Sequence, residues 1–597
     1  MGKIYQTDGA TRRVTHPLFL SIALVFSCFT SGVYAVDDNI HPEVASKKKR
    51  VLVAKSQTGM VITANDYATQ AASDTILKGG SAVDAAIAAQ LVLGLVEPQS
   101  SGIGGGGFLL HYDSKKKQLK HFNGRETAPM AVNEDHFMVA KNKAYPFFDA
   151  LVGGYAVGTP GLVAMMYNAH KQYGKLPWAS LFEPAILLAS NGFIISNRLH
   201  DSLKALAKSP KGVSNKALAA LYFQTNGEPK PVGSILRNPQ LANTYSEIAN
   251  KGPKAFYQGT IGQDIVQAVK NDSNKKGLLN KKDLIRYQSL IETPLCKNIG
   301  NFKFCGSPPP SSGPFTVTQM VELLAKTPEL KGLAYDSPGF YHRFIEAAKL
   351  SFADRNTYIA DPRFTKNPTK ALLSPGYTEK RAKLIPLLKA SDELSVAGDI
   401  DEVDYLQVKS PNQPSTTHLS IVDKEGNIVS MTTSIEHAFG SRIQVRGFLL
   451  NNQLTDFSFT PINKNNEKIA NRIEPGKMPR SSMSPMIIFN EKDQPILVIG
   501  SPGGAWIIPY VAKTITQHLY LGASLEDAIE SPHIANTNRL HATIEDDAPD
   551  SLKKTLEMLG HEFKQRPLTS GIHAIKIHNG FYTGVADSRR EGTAKGL

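Results

Sequence analysis

Two threonines and a histidine open an alternating strand at "PSTTHLSIVD", Pro414 to Asp423, directly after the polar run "VAGDIDEVDYLQVKSPNQ". Gly, Pro or Asp would serve to begin an ordinary strand, so these hydroxyls invite a chemical reading. If the chain opens just before a threonine, that residue carries a hydroxyl nucleophile and a free α-amine on one framework. An α-amine titrates near about 7.7 to 8.0, so at neutral pH a useful fraction is unprotonated and takes the hydroxyl proton, directly or through water. No separate histidine is required. Strand alternation gives Thr417 the parity of Leu419 and Ile421, and Thr416 that of His418 and Ser420, which turns Thr416 toward the more polar side. Ser415 and Thr417 satisfy the same chemistry.

Other clusters are weighed against this one. "GSPGGAW", Gly500 to Trp506, lies between a strand pattern and a helix pattern. Consecutive glycines there present outward N–H groups at a helix N-terminus, the makings of an oxyanion hole; a plain tight turn is the alternative. "SGIGGGGFLL" holds a G-x-G-x-x-G at Gly102, Gly104 and Gly107, but a helix precedes it and a strand follows. That is the reverse of a dinucleotide site. Neither an H-E-x-x-H zinc pattern nor a G-x-S-x-G nucleophile elbow occurs. The hydroxyl-rich "RSSMSP", Arg480 to Pro485, reads by itself as a turn.

The elements that must position these residues change along the chain. Small and aliphatic residues at helical spacing fill "ATQAASDTILKGGSAVDAAIAAQLVLGLVEP", with a break at Gly79 and Gly80 and an end at Pro98. The segments "LPWASLFEPAILLASNG" and "FYHRFIEAAKLSFADRNTYI" repeat that pattern, and "CGSPPPSSGPFTVTQMVELLA" is a rigid loop running into a helix. Residues 389–415 form a polar connector. Beyond it come short strands, "THLSIVD", "NIVSMTT", "FLLN", "SPMIIFN" and "PILVIGSP", then helices at "WIIPYVAKTITQHLYLG" and "LEDAIESP". The expectation is a helix-rich first part and a strand-dominated second part.

Composition bounds the class. The 597 residues, 41% hydrophobic and 20% charged, describe a globular chain with ample core. Lys3, Arg12 and Arg13 precede an apolar run from Pro17 to Phe29 and small residues ending at Ala35. This predicts a secretory signal peptide over residues 1–35, too short for a stable membrane span, and a periplasmic or secreted product. The net charge of +14 falls by only two on its removal. The densest basic run, Lys47 to Arg50, reads as a solvated tail, and no aromatic-interleaved nucleic-acid motif appears. Cys28 leaves with the signal. Cys296 and Cys305 bracket "KNIGNFKF" across a hairpin and form a candidate disulfide, with two buried thiols as the alternative.

At these residues the sequence resembles the γ-glutamyltransferase (glutathione hydrolase) family of N-terminal-nucleophile hydrolases. The matching stretches are "GIGGGGF", "GRETAP", "PPPSSG", "STTHLSIVDKEGNIVSMTTSIEHAFGS", "LLNNQLTDFS", "PRSSMSP" and "GSPGG", in the family's order. The resemblance implies a four-layer αββα sandwich. It also implies a precursor that cuts itself between Ser415 and Thr416 into a large subunit, 36–415, and a small catalytic subunit, 416–597, which remain together as a heterodimer. Thr416 would then attack the γ-amide of glutathione or another γ-glutamyl compound and pass the acyl group to water, an amino acid or a dipeptide. No metal or organic cofactor is implied.

Carried over residue by residue, Arg125 would grip the substrate α-carboxylate, helped by Ser481 and Ser482. Glu436, Gln453 and Asp456 would face the α-ammonium. Ser434 would hydrogen-bond the nucleophile, and the N–H groups of Gly503 and Gly504 would receive the oxyanion, worth about 2.7 to 4 kcal/mol per donor. Many relatives have Thr at Ser434, Asn at Glu436 and Arg at Met478. The run between Asp456 and Arg480 has no tyrosine, which argues against a tyrosine-bearing lid. Two rivals remain: an acylase for glutaryl side chains of cephalosporins, and an uncleaved binding protein for γ-glutamyl compounds.

Overall fold

The computed structural model describes residues 51–141, 143–400, 415–463 and 466–597. The predicted signal peptide and connector residues 401–414 lie outside the described residues.

Two antiparallel seven-stranded sheets stack face to face. In the second, Thr417–Val422 and Ile428–Ser434 pair as the central hairpin, flanked by Met60–Thr63 and Gly106–Asp113. In the first, Pro495–Gly500 pairs with Met486–Asn490 on one side and His573–His578 on the other. Period-2 alternation sorts the central hairpin. Leu419, Ile421, Val429 and Met431 face an outer helical layer that includes Ala82–Val96 and Leu162–Tyr173. Val422 and Ile428 face the other sheet, against Ile487, Val498 and Ile575. Helices Gly313–Ala325, Pro338–Tyr358 and Ile507–Tyr520 cover the outside of the first sheet through Val317, Phe344 and Val511. The result is a four-layer αββα sandwich.

The polar parity of the sequence has a specific destination. His418 and Ser420 point between the sheets, where His418 pairs with Thr432 (Nδ1···Oγ1 2.8 Å) and Ser420 donates to the His573 carbonyl (3.0 Å). Thr416 therefore begins at the end of a buried polar layer that runs through His418 and Ser420 to the apolar intersheet core at Val422.

The expectation of a helical first part and a stranded second part needs correction. Residues before 415 supply Leu52–Ser56, Leu295–Ile299 and Phe302–Gly306 to the first sheet, and Met60–Thr63, Gly106–Asp113, Gln118–Asn123 and Leu290–Glu292 to the second. Short buried runs such as "MVIT" carry no alternation to betray them. Cys296 and Cys305 sit directly opposite each other in the hairpin Leu295–Ile299/Phe302–Gly306 and are joined by a disulfide.

The central hairpin is tied to the helix behind it. Asp423 accepts from the N–H groups of Glu425 and Asn427 (both 2.9 Å), closing a turn in which Gly426 takes a φ of 80°. Its other oxygen accepts from the Ala82 N–H (2.9 Å), the first turn of helix Ala82–Val96. A Ser81/Asp84 capping box completes that helix start. The far end of the helix is thereby fixed, and it delivers the segment Glu97–Ser101 to the start of the Thr416 strand.

Candidate active site

Ser415 and Thr416 are buried. The Ser415 hydroxyl donates to the Gln99 carbonyl, and the Ser100 carbonyl accepts from the Ile435 N–H (3.3 Å), so the helix end grips both strands of the hairpin. Because Thr417 faces Thr433 in the ladder, Ser434 lies opposite Thr416. The Ser434 hydroxyl donates to the carbonyl of Ser415 at 2.6 Å, accepts from the Glu436 N–H at 2.8 Å and accepts from the Thr416 hydroxyl at 3.4 Å. A serine hydroxyl has one proton and two lone pairs, and all three are used here. One side chain thus polarises the carbonyl before Thr416 and orients the Thr416 hydroxyl. On the other side, buried Arg590 donates from Nη1 to the Thr416 carbonyl (3.1 Å) and from Nε to that of Thr569 (3.0 Å).

The glycine clusters follow from close approach. A Cβ on Gly105 would lie 2.1 Å from the Ser434 carbonyl oxygen, so only glycine lets that segment pass the site. Gly503 holds a φ of 133°, and its Cβ would meet the Tyr510 ring at 2.7 Å. Gly503 and Gly504 join the end of strand Pro495–Gly500 to the 3-10 turn Gly504–Trp506 that starts helix Ile507–Tyr520.

Thr416, Ser434, Glu436, Gln453, Asp456 and Arg125 line one cavity with Ser481, Ser482 and Gly504. Of the residues picked out from sequence for the site, Ser415 and Gly503 are not among the lining; each is the chain neighbour of a lining residue, Thr416 and Gly504. Arg125 is fully buried and donates to the carbonyls of Pro479 (3.1 Å) and Arg480 (3.0 Å). It also donates to Asp456 Oδ2 at 2.5 Å, and Gln453 Nε2 donates to the same oxygen at 2.9 Å. Sequence reasoning had sent Arg125 and Asp456 to opposite ends of a ligand; here they hold each other.

Two more carboxyls crowd this pair. Burial pushes Glu126 up to about 8 against the pull of Arg125, and neither of its oxygens has a hydrogen-bond partner. Glu436 is raised well above the usual carboxylate range, first by burial and then by Asp456. Its backbone is left-handed, φ 78°, a region asparagine adopts more readily than glutamate. The Arg125–Asp456 pair is therefore flanked by two carboxyls whose surroundings favour the protonated form, Glu126 lying 3.5 Å from Arg125 Nη1.

The family profile described as Gamma-glutamyltranspeptidase matches residues 68–597. The chain belongs to the γ-glutamyltranspeptidase family. It is 36% identical over 571 residues to the glutathione hydrolase proenzyme of Bacillus subtilis (strain 168), covering 93% of this chain and 94% of that one. It is 32% identical over 587 residues to the glutathione hydrolase proenzyme of Escherichia coli (strain K12), covering 94% and 95%. Among solved structures, a cephalosporin acylase from Bacillus halodurans superposes with a TM-score of 0.78 at 25% identity, over 94% of this chain and 99% of that one. The Helicobacter pylori γ-glutamyltranspeptidase gives 0.55 at 26% identity, over 58% and 97%. The αββα sandwich is thus of the N-terminal-nucleophile hydrolase type.

Within this γ-glutamyltranspeptidase fold, sequence reasoning missed several cavity residues: Arg355, Arg480, Met483, Ala505 and Ile507. Arg355 lies in "FADRN" near the end of helix Pro338–Tyr358, where an arginine in a helical pattern carries no distinguishing signal. Arg480 donates from Nη1 to the carbonyls of Arg355 (3.0 Å) and Asn356 (3.2 Å), which ties the "PRSSMSP" loop to that helix end. Met478 is buried beside Asn123 and does not line the cavity.

Proposed function

We propose that this protein is an exported glutathione hydrolase and γ-glutamyltransferase that matures by self-cleavage before Thr416. The observation that carries the reading is the Ser434 hydroxyl, bonded at once to the Ser415 carbonyl and the Thr416 hydroxyl. In the precursor, Thr416 Oγ attacks the Ser415 carbonyl carbon and its proton passes to the departing nitrogen. The acyl group shifts from N to O, and water opens the ester to a Ser415 carboxylate and a free Thr416 amine. Residues 36–415 and 416–597 become the two subunits, and the predicted signal peptide accounts for export.

In the mature enzyme the Thr416 amine takes the Oγ proton as the oxygen attacks the γ-carbonyl. The N–H groups of Gly503 and Gly504 receive the oxyanion. The protonated amine then supplies the leaving amine's proton, leaving a γ-glutamyl ester that water or an acceptor amine resolves. The Arg125–Asp456 pair supports recognition of an amino-acid head. An α-carboxylate and an α-ammonium replace one internal ion pair with two external ones, Arg125 with carboxylate and Asp456 with ammonium, at no change in net charge.

The substrate test compares γ-glutamyl and glutaryl anilides, which differ by the α-ammonium. The γ-glutamyl compound is expected to have a kcat/KM higher by about 100-fold or more, because the glutaryl analogue leaves Asp456 and Gln453 without their ligand. The reverse preference would make the protein an acylase. Failure to turn over either, with an uncut chain, would make it a binding protein.

Glu436 gives a prediction with a pH sign. Burial raises its pKa and so favours the neutral form as pH falls, where a carboxylic acid and an amide are near isosteres. Glu436→Gln is therefore expected to bind donor within about threefold of wild type at pH 6. As pH rises, only glutamate gains negative charge beside the ammonium, so the ratio of variant to wild-type KM grows. A variant KM ten times higher already at pH 6 would mean an ionised Glu436. Comparing KM ratios cancels the titration of the Thr416 amine common to both.

A further inference from the structure

The "PPPSSG" loop and the buried end of helix Pro338–Tyr358 have no part in the chemistry above, yet both converge on the serines of "PRSSMSP". The Arg355 guanidinium makes the connection. Its Nη2 donates to Ser482 Oγ at 2.6 Å, its Nε donates to Ser312 Oγ at 2.8 Å, and its Nη1 donates to Asn356 Oδ1 at 2.8 Å. Ser312 passes its own proton to the Ser481 carbonyl at 2.7 Å, where the Ser312 N–H also donates at 2.7 Å. One fork thus pins Ser482 directly and the backbone of Ser481 through Ser312.

The consequence is one of hydrogen-bond polarity. Arginine has donors only, whereas a serine hydroxyl has one proton and two acceptor sites. With Arg355 donating to Ser482 Oγ, the Ser482 proton cannot return along that bond. Among the described residues it has no protein acceptor, and the side chain lines the cavity beside Arg125. The Ser481 hydroxyl is biased in the same sense, because its oxygen accepts from the Met483 N–H at 3.2 Å.

We propose that Arg355, with Ser312, is a positioning residue that fixes the Ser482 hydroxyl as a donor into the cavity, and so sets the site's selectivity for donors bearing an α-carboxylate. This rests on the γ-glutamyl reading above. A hydroxyl free to rotate offers a carboxylate its lone pairs as readily as its proton; one whose lone pair is already engaged by a cation offers the proton. Arg355 acts through Ser482 and is not itself required to touch the substrate.

The test measures kcat/KM for two anilides, γ-glutamyl and γ-aminobutyryl, the second lacking only the α-carboxylate, and takes their ratio. In Arg355→Met the ratio is expected to fall by about 10- to 100-fold, the range for a hydrogen bond to a charged group, mainly through KM. Ser482→Ala should lower the ratio similarly. The double variant should be no worse than the worse single one, because the two act on one bond. Arg355→Lys, which keeps a single donor within reach of Ser482, should recover part of the ratio.

Parallel loss on both anilides, or additive losses in the double variant, would overturn the proposal. If Arg355→Met accumulates as uncut chain, Arg355→Lys carries the same measurement. Uncut chain in both would assign Arg355 to assembly of the site and likewise overturn it. A wild-type protein indifferent to the α-carboxylate would instead overturn the γ-glutamyl reading itself, so the two failures are distinguishable.

Discussion

Replacing Thr416 with alanine is expected to leave a full-length, uncut chain with turnover reduced on the order of 10⁴- to 10⁶-fold, the scale of removing a nucleophile. The methyl side chain keeps the strand start and its burial but removes the hydroxyl oxygen that bonds Ser434. The Ser434 bond to the Ser415 carbonyl can persist, so the fold should survive and thermal unfolding should stay within a few degrees of an uncut control. Thr416→Ser retains the oxygen and should still cut, more slowly, because loss of the methyl frees the rotamer. Denaturing gels after mild purification read both outcomes. Two fragments from Thr416→Ala would move the nucleophile to Ser415 or Thr417, which local chemistry alone does not exclude.

Arg125 carries the second large effect. Arg125→Met removes the proposed carboxylate grip and should lower kcat/KM by about 10³-fold or more, while Arg125→Lys loses about 10²-fold because an ammonium cannot serve Pro479, Arg480 and a carboxylate together. Breaking a buried ion pair ordinarily costs about 3 to 5 kcal/mol. Here the neighbouring carboxyls can relieve that cost by holding protons. Glu126 already stands near about 8 with Arg125 in place, and without the cation it stays protonated to still higher pH. A carboxyl whose folded pKa lies above its unfolded value loses stability as pH rises toward the folded pKa. The stability deficit of Arg125→Met relative to wild type should therefore widen as pH rises through about 8 and level off below it, where both proteins keep Glu126 protonated. Thermal unfolding between pH 6 and 9 checks the sign; a deficit that shrinks with rising pH would contradict it.

Local chemistry made part of this site legible before any fold was known. A hydroxyl with its own amine needs only a cut, and parity pointed Thr416 toward polar company; the structure gives that company as Ser434 across the ladder and the His418–Thr432 layer between the sheets. The two glycine clusters were legible as close-approach points, though what they approach, the Ser434 carbonyl and the Tyr510 ring, is tertiary. Arg355, Arg480 and Arg590 were not legible. Each comes from a segment remote in sequence from Thr416: Arg355 sits in a helical pattern, Arg480 heads a run that reads as a turn, and Arg590 stands in a charged stretch near the end of the sequence. In the first half, the strand after Gly107 and the Cys296/Cys305 hairpin were legible, whereas Leu52–Ser56, Met60–Thr63, Gln118–Asn123 and Leu290–Glu292 were missed for a different reason: runs this short have too little period to measure. The opposition of Arg125 and Asp456 was read as recognition of two ends of one ligand, and their mutual bond follows only once both are seen buried around one cavity.

The central claim is that one residue serves as nucleophile and base after the bond before it opens. Intact-mass and N-terminal analysis of catalytically active material tests this most directly. The account predicts a fragment beginning "TTHLS", held with the fragment ending at Ser415. Active protein that yields only an unbroken chain, or a cut at any other bond, would contradict it.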